Sequence, residues 1–230
     1  MLQTTRWATA AIVVSIGLPG VSAAATLNVP GDFATIQACI DAAVSGVDEC
    51  VAAPGTYHET INFLGKAITV RSSGGADVTT IDATGLGGSV VTCKTGEGPD
   101  TILDGFTITG GTPQYAPSVG GYAGGGMYSL YSSPTVTNCT FNNNYVGSFS
   151  TPYRAALGGG MCNLYSSPTV THCTFNNNAA FPSPVDHPGL GGGMYNYYRL
   201  SAIPGDGSWL TTSACRRRPF DFVDQSPSQH

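Results

Sequence analysis

The chain has 230 residues, of which only 10% are charged and 31 are glycine. This composition is poor material for the helical pairs of tetratricopeptide or ankyrin arrays, so it favours strands and turns. Between residues 26 and 198, 11 acidic residues stand against 4 basic ones. That balance argues against a surface for nucleic acid or for anionic membranes.

The first 24 residues have the pattern of a secretory signal peptide. Arg6 supplies a weak positive start, residues 8–18 form an apolar run, and residues 21–24 offer small side chains for cleavage. The apolar run is shorter than the ~20 residues that span a bilayer, and no other segment suggests a transmembrane span. We therefore expect a protein that is secreted or lies at the cell surface.

A short helix is predicted next, at the start of the folded domain. Asp32 is a plausible N-cap for it. Ile36, Ile40 and either Ala43 or Val44 would make its inward apolar stripe. The helix is followed by short apolar strands that are punctuated by glycine turns.

Two later stretches, residues 130–144 and 164–178, are near copies that differ only at Asn138 against His172. A block of three glycines recurs with them, at residues 124–126, 158–160 and 191–193. The period is therefore 34 and then 33 residues. A fixed period in this range is typical of a solenoid.

Each repeat is predicted to contain two short strands joined at a corner. Pro134 cannot donate to a strand ladder and marks the start of the first strand, residues 135–137, and residues 139–141 form the second. Asn138, or His172 in the next copy, lies at the bend. Because parallel strands joined by crossovers are nearly always right-handed, we predict a right-handed coil.

Equivalent side chains of neighbouring coils should stack about 4.8 Å apart. The expected ladders are Phe141 over Phe175, Val136 over Val170, and the asparagines of residues 142–144 over those of 176–178. A plain polar loop is the alternative for the asparagines.

The motifs resemble those of right-handed parallel β-helix proteins of the pectin-lyase-like superfamily. Residues 102–111 read ILDGFTITGG, a common rung sequence there, and residues 29–43 and 53–63 resemble the opening coil, in which a short helix caps the first rung. Together with the repeats, the resemblance covers roughly residues 27–198. It implies an all-β fold, a right-handed parallel β-helix (solenoid) with a short N-terminal capping helix, over residues 25–198.

A second resemblance is to the repeats of bacterial polymorphic outer-membrane proteins. These repeats pair a Gly-Gly-apolar tripeptide with Phe-x-x-Asn, as at residues 125–127 with 141–144 and at residues 159–161 with 175–178. The superfamily contains lyases, esterases, hydrolases and adhesins, so neither resemblance implies a particular reaction.

The seven cysteines are an odd number, so at least one is unpaired. Cys39 and Cys50 are the candidate disulfide, which would join the helix to the first coil, and two buried free thiols are the alternative. Cys139 and Cys173 share a repeat position and would stack within disulfide distance, but because their Cβ vectors run parallel we predict a packed thiol ladder, with a disulfide as the alternative. No Cys-x-x-Cys motif is present, so no metal site is predicted.

A lyase that acts on uronates usually requires carboxylates that hold Ca²⁺ together with a basic group that removes a proton. A hydrolase requires two carboxylates near one another. Neither constellation is evident in the sequence, although bound Ca²⁺ is possible. The best candidates for general acid or general base catalysis are Asp186 and His187, with Arg154 in the equivalent loop one coil earlier. Flanking prolines indicate that this loop is exposed. Whether the protein is an enzyme therefore stays open.

Binding has more support. Three long loops, residues 112–123, 145–157 and 179–190, precede the glycine blocks and would form one flank. Aromatic faces with hydroxyl groups suit sugar rings or protein partners, although these rings could equally cover the outer wall. The candidate ligand-binding residues are Tyr115, Tyr122, Tyr131, Tyr145, Tyr153, Tyr165 and Phe181.

We thus expect a monomeric, secreted or cell-surface protein that associates with a polysaccharide or acts as an adhesin-like module, with a polysaccharide lyase or related enzyme as the alternative. After residue 196 the repeat register is lost. Residues 199–230 are interpreted as an irregular tail, possibly frameshifted or truncated, and a native tail that folds over the last coil is the alternative.

Overall fold

The structure is a computed structural model that describes residues 23–147, 155–181 and 189–197. It contains one α-helix, α1 (Ile36–Ala42), in this described part, and one 3-10 turn, Pro117–Val119. The strands are β1 (Thr26–Val29), β2 (Glu49–Ala52), β3 (Gly55–Tyr57), β4 (Ile61–Asn62), β5 (Thr69–Ser72), β6 (Thr79–Asp82), β7 (Val91–Cys93), β8 (Ile102–Asp104), β9 (Thr107–Thr109), β10 (Gln114–Ala116), β11 (Gly121–Ala123), β12 (Met127–Leu130), β13 (Thr135–Thr137), β14 (Thr140–Asn142), β15 (Tyr145–Gly147), β16 (Ala156–Leu157), β17 (Met161–Leu164), β18 (Thr169–Thr171), β19 (Thr174–Asn176), β20 (Ala179–Phe181), β21 (Gly189–Leu190) and β22 (Met194–Tyr197).

Three parallel sheets form the walls of a β-solenoid. Sheet A has the order β1-β2-β5-β8-β13-β18, sheet B the order β3-β6-β9-β14-β19, and sheet C the order β4-β7-β12-β17-β22. Every hydrogen-bonded pair in these sheets is parallel. The chain passes through A, B and C once per coil, so the predicted parallel β-solenoid is confirmed.

The predicted inner ladders are present. Val136 pairs with Val170, and Phe141 pairs with Phe175, with the two rings stacked at a centroid distance of 4.9 Å. The corner between the two strands lies at Asn138, which has a φ of +52°. The second strand begins one residue later than predicted, at Thr140, because the corner needs two residues to turn the chain.

An asparagine ladder closes the turn after sheet B. The Asn144 side chain is fully buried, and its Nδ2 donates to the Ile108 carbonyl at 2.9 Å and to Asn178 Oδ1 at 3.0 Å. Asn178 in turn donates to the Phe141 carbonyl at 2.8 Å. The predicted amide ladder is therefore confirmed for this pair, since these side chains supply the hydrogen bonds that the turn backbone leaves open.

The glycine blocks allow coils to approach closely beside this ladder. A Cβ added at Gly126 would lie within 2.4 Å of the Gly160 carbonyl oxygen and within 2.8 Å of the Phe141 ring. No side chain fits into that space, because Cβ atoms are essentially never seen so close to backbone oxygens. The Gly-Gly-Met repeat is thus explained by packing, since the methionines Met127 and Met161 are fully buried.

Helix α1 packs against β1, β2 and β4, at the first coil. Its N-cap is Thr35, whose side chain accepts from the Ala38 N–H at 3.1 Å. The prediction of Asp32 as N-cap is wrong, because Asp32 precedes an intervening turn and accepts instead from Asn28 N–H at 2.8 Å. Glu59 adds a second cap by accepting from the first two helical N–H groups.

The inward face of the helix consists of Ile36, Ile40 and Ala43, whereas Val44 is 48% exposed. Cys39, on the same face, forms a disulfide with Cys50 of β2. The bond spans 11 residues and joins the helix to the first coil.

The end of α1 is held by Lys66, whose Nζ donates to the carbonyls of Ile40, Asp41 and Ala43 at 2.7, 2.7 and 2.9 Å. A cation at this position satisfies carbonyls that have no partner within the helix. We predict that Lys66→Met lowers the free energy of unfolding by about 1–2 kcal/mol in urea titrations. Lys94→Met, at an exposed site, is the control, and equal effects for the two would refute this role.

The stretches predicted as long loops are partly strands. β10 and β11 form an antiparallel hairpin, β16 and β21 continue it in parallel, and β15 pairs with β20. These extra strands repeat once per coil, because the backbone of each loop hydrogen-bonds to the loop of the next coil. A second core lies beneath them on the outside of sheet C, formed by Ala116, Ala123, Tyr128, Leu157, Cys162 and Leu164.

Among the described helices, none has the length and apolar character needed to cross a membrane. The predicted signal peptide, residues 1–24, lies almost entirely outside the described residues, and so does the predicted tail, residues 199–230.

Candidate functional site

The candidate acid and base residues Asp186, His187 and Arg154 lie outside the described residues, and Tyr153 does as well. Within the described ranges, no three histidine, cysteine or carboxylate side chains come together in a way that could hold a metal ion. The possible Ca²⁺ site therefore stays a prediction.

The remaining aromatic candidates fall into three pairs. Tyr115 and Tyr122 face each other across the β10–β11 hairpin, with centroids 5.8 Å apart in a T-shaped arrangement. Tyr145 and Phe181 are 6.5 Å apart on β15 and β20. Tyr131 and Tyr165 stack at 4.9 Å with ring planes 11° apart. The aromatic residues are thus distributed over the hairpin, the β15–β20 pair and the corner that follows sheet C.

The outer tyrosine pair, Tyr131 and Tyr165, occupies the corner between sheet C and sheet A in two successive coils. Both residues have a φ of +50°, a left-handed conformation that is uncommon for a bulky side chain. Tyr131 is 62% exposed, whereas Tyr165 is half-buried, meets Tyr197 edge-on at 5.5 Å and packs against the second core. One ring of the pair therefore offers a large face to solvent and the other supports it.

Directly beneath the outer tyrosine pair lies a buried hydrogen-bond network. Ser132 Oγ donates to Glu97 Oε2 at 2.7 Å, and the Ser132 N–H donates to Ser166 Oγ at 3.1 Å. Both serines are about 1% exposed. The corner that carries Tyr131 is therefore fixed to the coils above and below it.

Glu97 is the centre of this network and is only 2% exposed. Its carboxylate accepts from the Gly65 N–H at 2.8 Å, the Thr95 N–H at 2.8 Å and Ser132 Oγ. These three donors belong to three successive coils. Sequence reasoning missed this residue, although a glutamate between two glycines in a chain with few charges was the available signal.

The outer face of sheet A carries charged groups that serve the fold. Arg71 Nε lies 3.0 Å from Glu49 Oε2, and this hydrogen bond lowers the pKa of Glu49 and raises that of Arg71. Asp104 accepts from Asn138 Nδ2 at 2.7 Å, at the corner of the next coil. On sheet B, Asp82 of β6 accepts from the Thr84 hydroxyl and N–H, and these hydrogen bonds lower the pKa of Asp82. These carboxylates act as corner and ladder partners.

A groove of about 530 Å³ runs along the last described coil. Its lining includes the apolar residues Val170, Phe175 and Met194, with Cys173 beside them. The equivalent residues Val136 and Phe141, one coil earlier, are fully buried because the next coil covers them.

No family model matches the chain, and the search of curated proteins finds no significant match. The parallel β-solenoid itself rests on the strand pairing described above.

Proposed function

We propose that this protein is a secreted or cell-surface β-helix of the pectin-lyase-like superfamily that associates with polysaccharide through its outer tyrosine pair. The superfamily assignment is supported by the rung and cap motifs together with the parallel three-sheet coil. The binding role is supported above all by Tyr131, a tyrosine that is 62% exposed on a rigid corner.

Preorganisation of the corner favours binding. The Tyr131 N–H donates to the Leu164 carbonyl at 3.1 Å, and Tyr165 lies behind its ring. A ring that is already held in place loses little conformational entropy when a ligand stacks on it. Tyrosine also combines a flat apolar face with a hydroxyl, which suits a sugar ring.

The repeat geometry favours a polymer over a single sugar. Equivalent positions recur about every 4.8 Å along the solenoid, and the Tyr131 and Tyr165 rings follow this spacing at 4.9 Å. A glycan chain lying beside the corner would contact successive coils at once. The acidic balance of the domain favours a neutral glycan over a polyuronate.

The test is affinity electrophoresis through gels that contain a soluble cellulose derivative, xylan or homogalacturonan. We expect a neutral glycan to retard the protein, and Tyr131→Asn to weaken retardation by about 10-fold or more, as for an aromatic hot spot. Asparagine tolerates the left-handed backbone, so the fold should be preserved.

Leu64→Asn is the matched control. Leu64 also has a positive φ, +58°, at the corner after sheet C, and it is 46% exposed without an aromatic ring. We expect this variant to bind like the unmodified protein. Equal retardation of the Tyr131→Asn variant would contradict the proposal, and release of unsaturated, ultraviolet-absorbing uronides would favour a lyase instead.

A further inference from the structure

Cys139 and Cys173 occupy the same position in successive coils. The backbone is hydrogen-bonded on both sides of them, from Asn138 N–H to the Thr171 carbonyl at 3.2 Å and from Thr174 N–H to the Cys139 carbonyl at 2.9 Å. Both are free thiols at the corner between sheets A and B, as the predicted thiol ladder requires, and the strands that flank them pair at a coil spacing of about 4.8 Å. That spacing falls within the roughly 4.4–6.8 Å between Cα atoms that a disulfide requires.

The two thiols differ in access to solvent. Cys139 is 1% exposed and is covered by the coil above it, whereas Cys173 is half-buried and lines the groove of the last described coil. Among the described residues, none closes the groove over Cys173, so a small reagent can reach this thiol. Cys139 is closed to solvent, and Cys173 is the described thiol at the equivalent position of the next coil.

The pKa values of the two thiols also differ, and the more exposed thiol has the lower pKa. The neighbouring Cys139 thiol lowers the pKa of Cys173, whereas the neighbouring Cys173 thiol and burial raise the pKa of Cys139. Since the thiolate is the nucleophile in disulfide exchange, Cys173, which is the more exposed of the two thiols, reacts first.

We propose that Cys139 and Cys173 form an oxidisable dithiol, in which Cys173 attacks small-molecule disulfides and Cys139 completes an inter-coil disulfide. In the first step the Cys173 thiolate attacks one sulfur of oxidised glutathione, the glutathione S–S bond breaks, and one glutathione thiolate leaves. In the second step Cys139 loses its proton to solvent or to that thiolate and attacks Cys173 Sγ, which releases the second glutathione. The protein loses two electrons, and the small disulfide is reduced to two thiols.

The other described free thiols lack this arrangement. Cys93 is paired in the strand register with Ser129, and Cys162 with Tyr128 and Tyr195. Both are buried, and burial raises the pKa of each. They serve as internal controls that should stay reduced.

The experiment treats the folded protein with oxidised glutathione at pH 8 and maps the products by peptide mass spectrometry. All samples carry Cys215→Ser, because Cys215 lies outside the described residues. We expect loss of two thiols per chain and a peptide that joins Cys139 to Cys173. Cys139→Ser should stop at a stable mixed disulfide on Cys173, and Cys173→Ser should leave Cys139 unmodified.

Circular dichroism establishes whether each variant is folded. Even where the Cys139→Ser or Cys173→Ser variant does not fold, peptide mapping of the Cys215→Ser protein shows whether the disulfide between Cys139 and Cys173 forms. A stable mixed disulfide on Cys173 while Cys139 is still present would overturn the proposal. So would a folded protein in which Cys173 does not react, or one in which Cys93 and Cys162 are oxidised as fast.

Discussion

Replacement of Phe141 by alanine is expected to lower the free energy of unfolding by about 3–5 kcal/mol, as for other fully buried aromatic residues. The ring is completely buried, stacks on Phe175 in the coil above and lies in register with Ile108 in the coil below. The substitution leaves a cavity that a solenoid with rigid coil spacing cannot close. Urea unfolding followed by circular dichroism measures the change.

Phe175→Ala is the matched control, because it removes the same ring one coil later. Phe175 is only partly buried and borders the open groove, so the loss should be about 1–2 kcal/mol. Equal losses of unfolding free energy for Phe141→Ala and Phe175→Ala would contradict the finding that Phe141 is covered by the next coil and Phe175 is not fully covered.

Replacement of Glu97 by alanine is expected to cost about 3 kcal/mol or more, since it leaves buried donors from three coils without an acceptor. Glu97→Gln should lie between alanine and the unmodified protein, because the amide keeps one acceptor oxygen and places an N–H₂ group against a donor. Thermal unfolding of the three proteins gives the comparison.

Asp100→Ala is the control for Glu97, since Asp100 is an exposed carboxylate in the same turn. Its effect should stay within about 0.5 kcal/mol. If Glu97→Ala were as mild as Asp100→Ala, the buried network could not be what fixes the corner beneath Tyr131.

The repeated elements were predictable because the copied sequence forms the same strands and the same corner in each coil. The Phe141 ladder, the Val136 ladder and the corner at Asn138 follow from the copied sequence and the strand spacing. The helix was also predictable, but its cap was not, since Asp32 and Thr35 are both good caps and the intervening turn decides between them.

Residues that occur once were not predictable in the same way. Lys66 binds carbonyls 23 to 26 residues earlier, and Glu97 bonds to residues 32 and 35 positions away. Neither has a counterpart in the next repeat that would disclose its partner. The Tyr131–Tyr165 stack also follows from the copied sequence, whereas the other two aromatic pairs depend on strand pairing outside the repeat.

Glycan binding at Tyr131 is tested most sharply by crystal structures of the protein soaked with cello-oligosaccharide and, in parallel, with oligogalacturonate. We expect a neutral sugar ring stacked on the exposed face of Tyr131, with the glycan chain directed along the successive coils. Sugar bound elsewhere on the described surface, with the Tyr131 face empty, would contradict it.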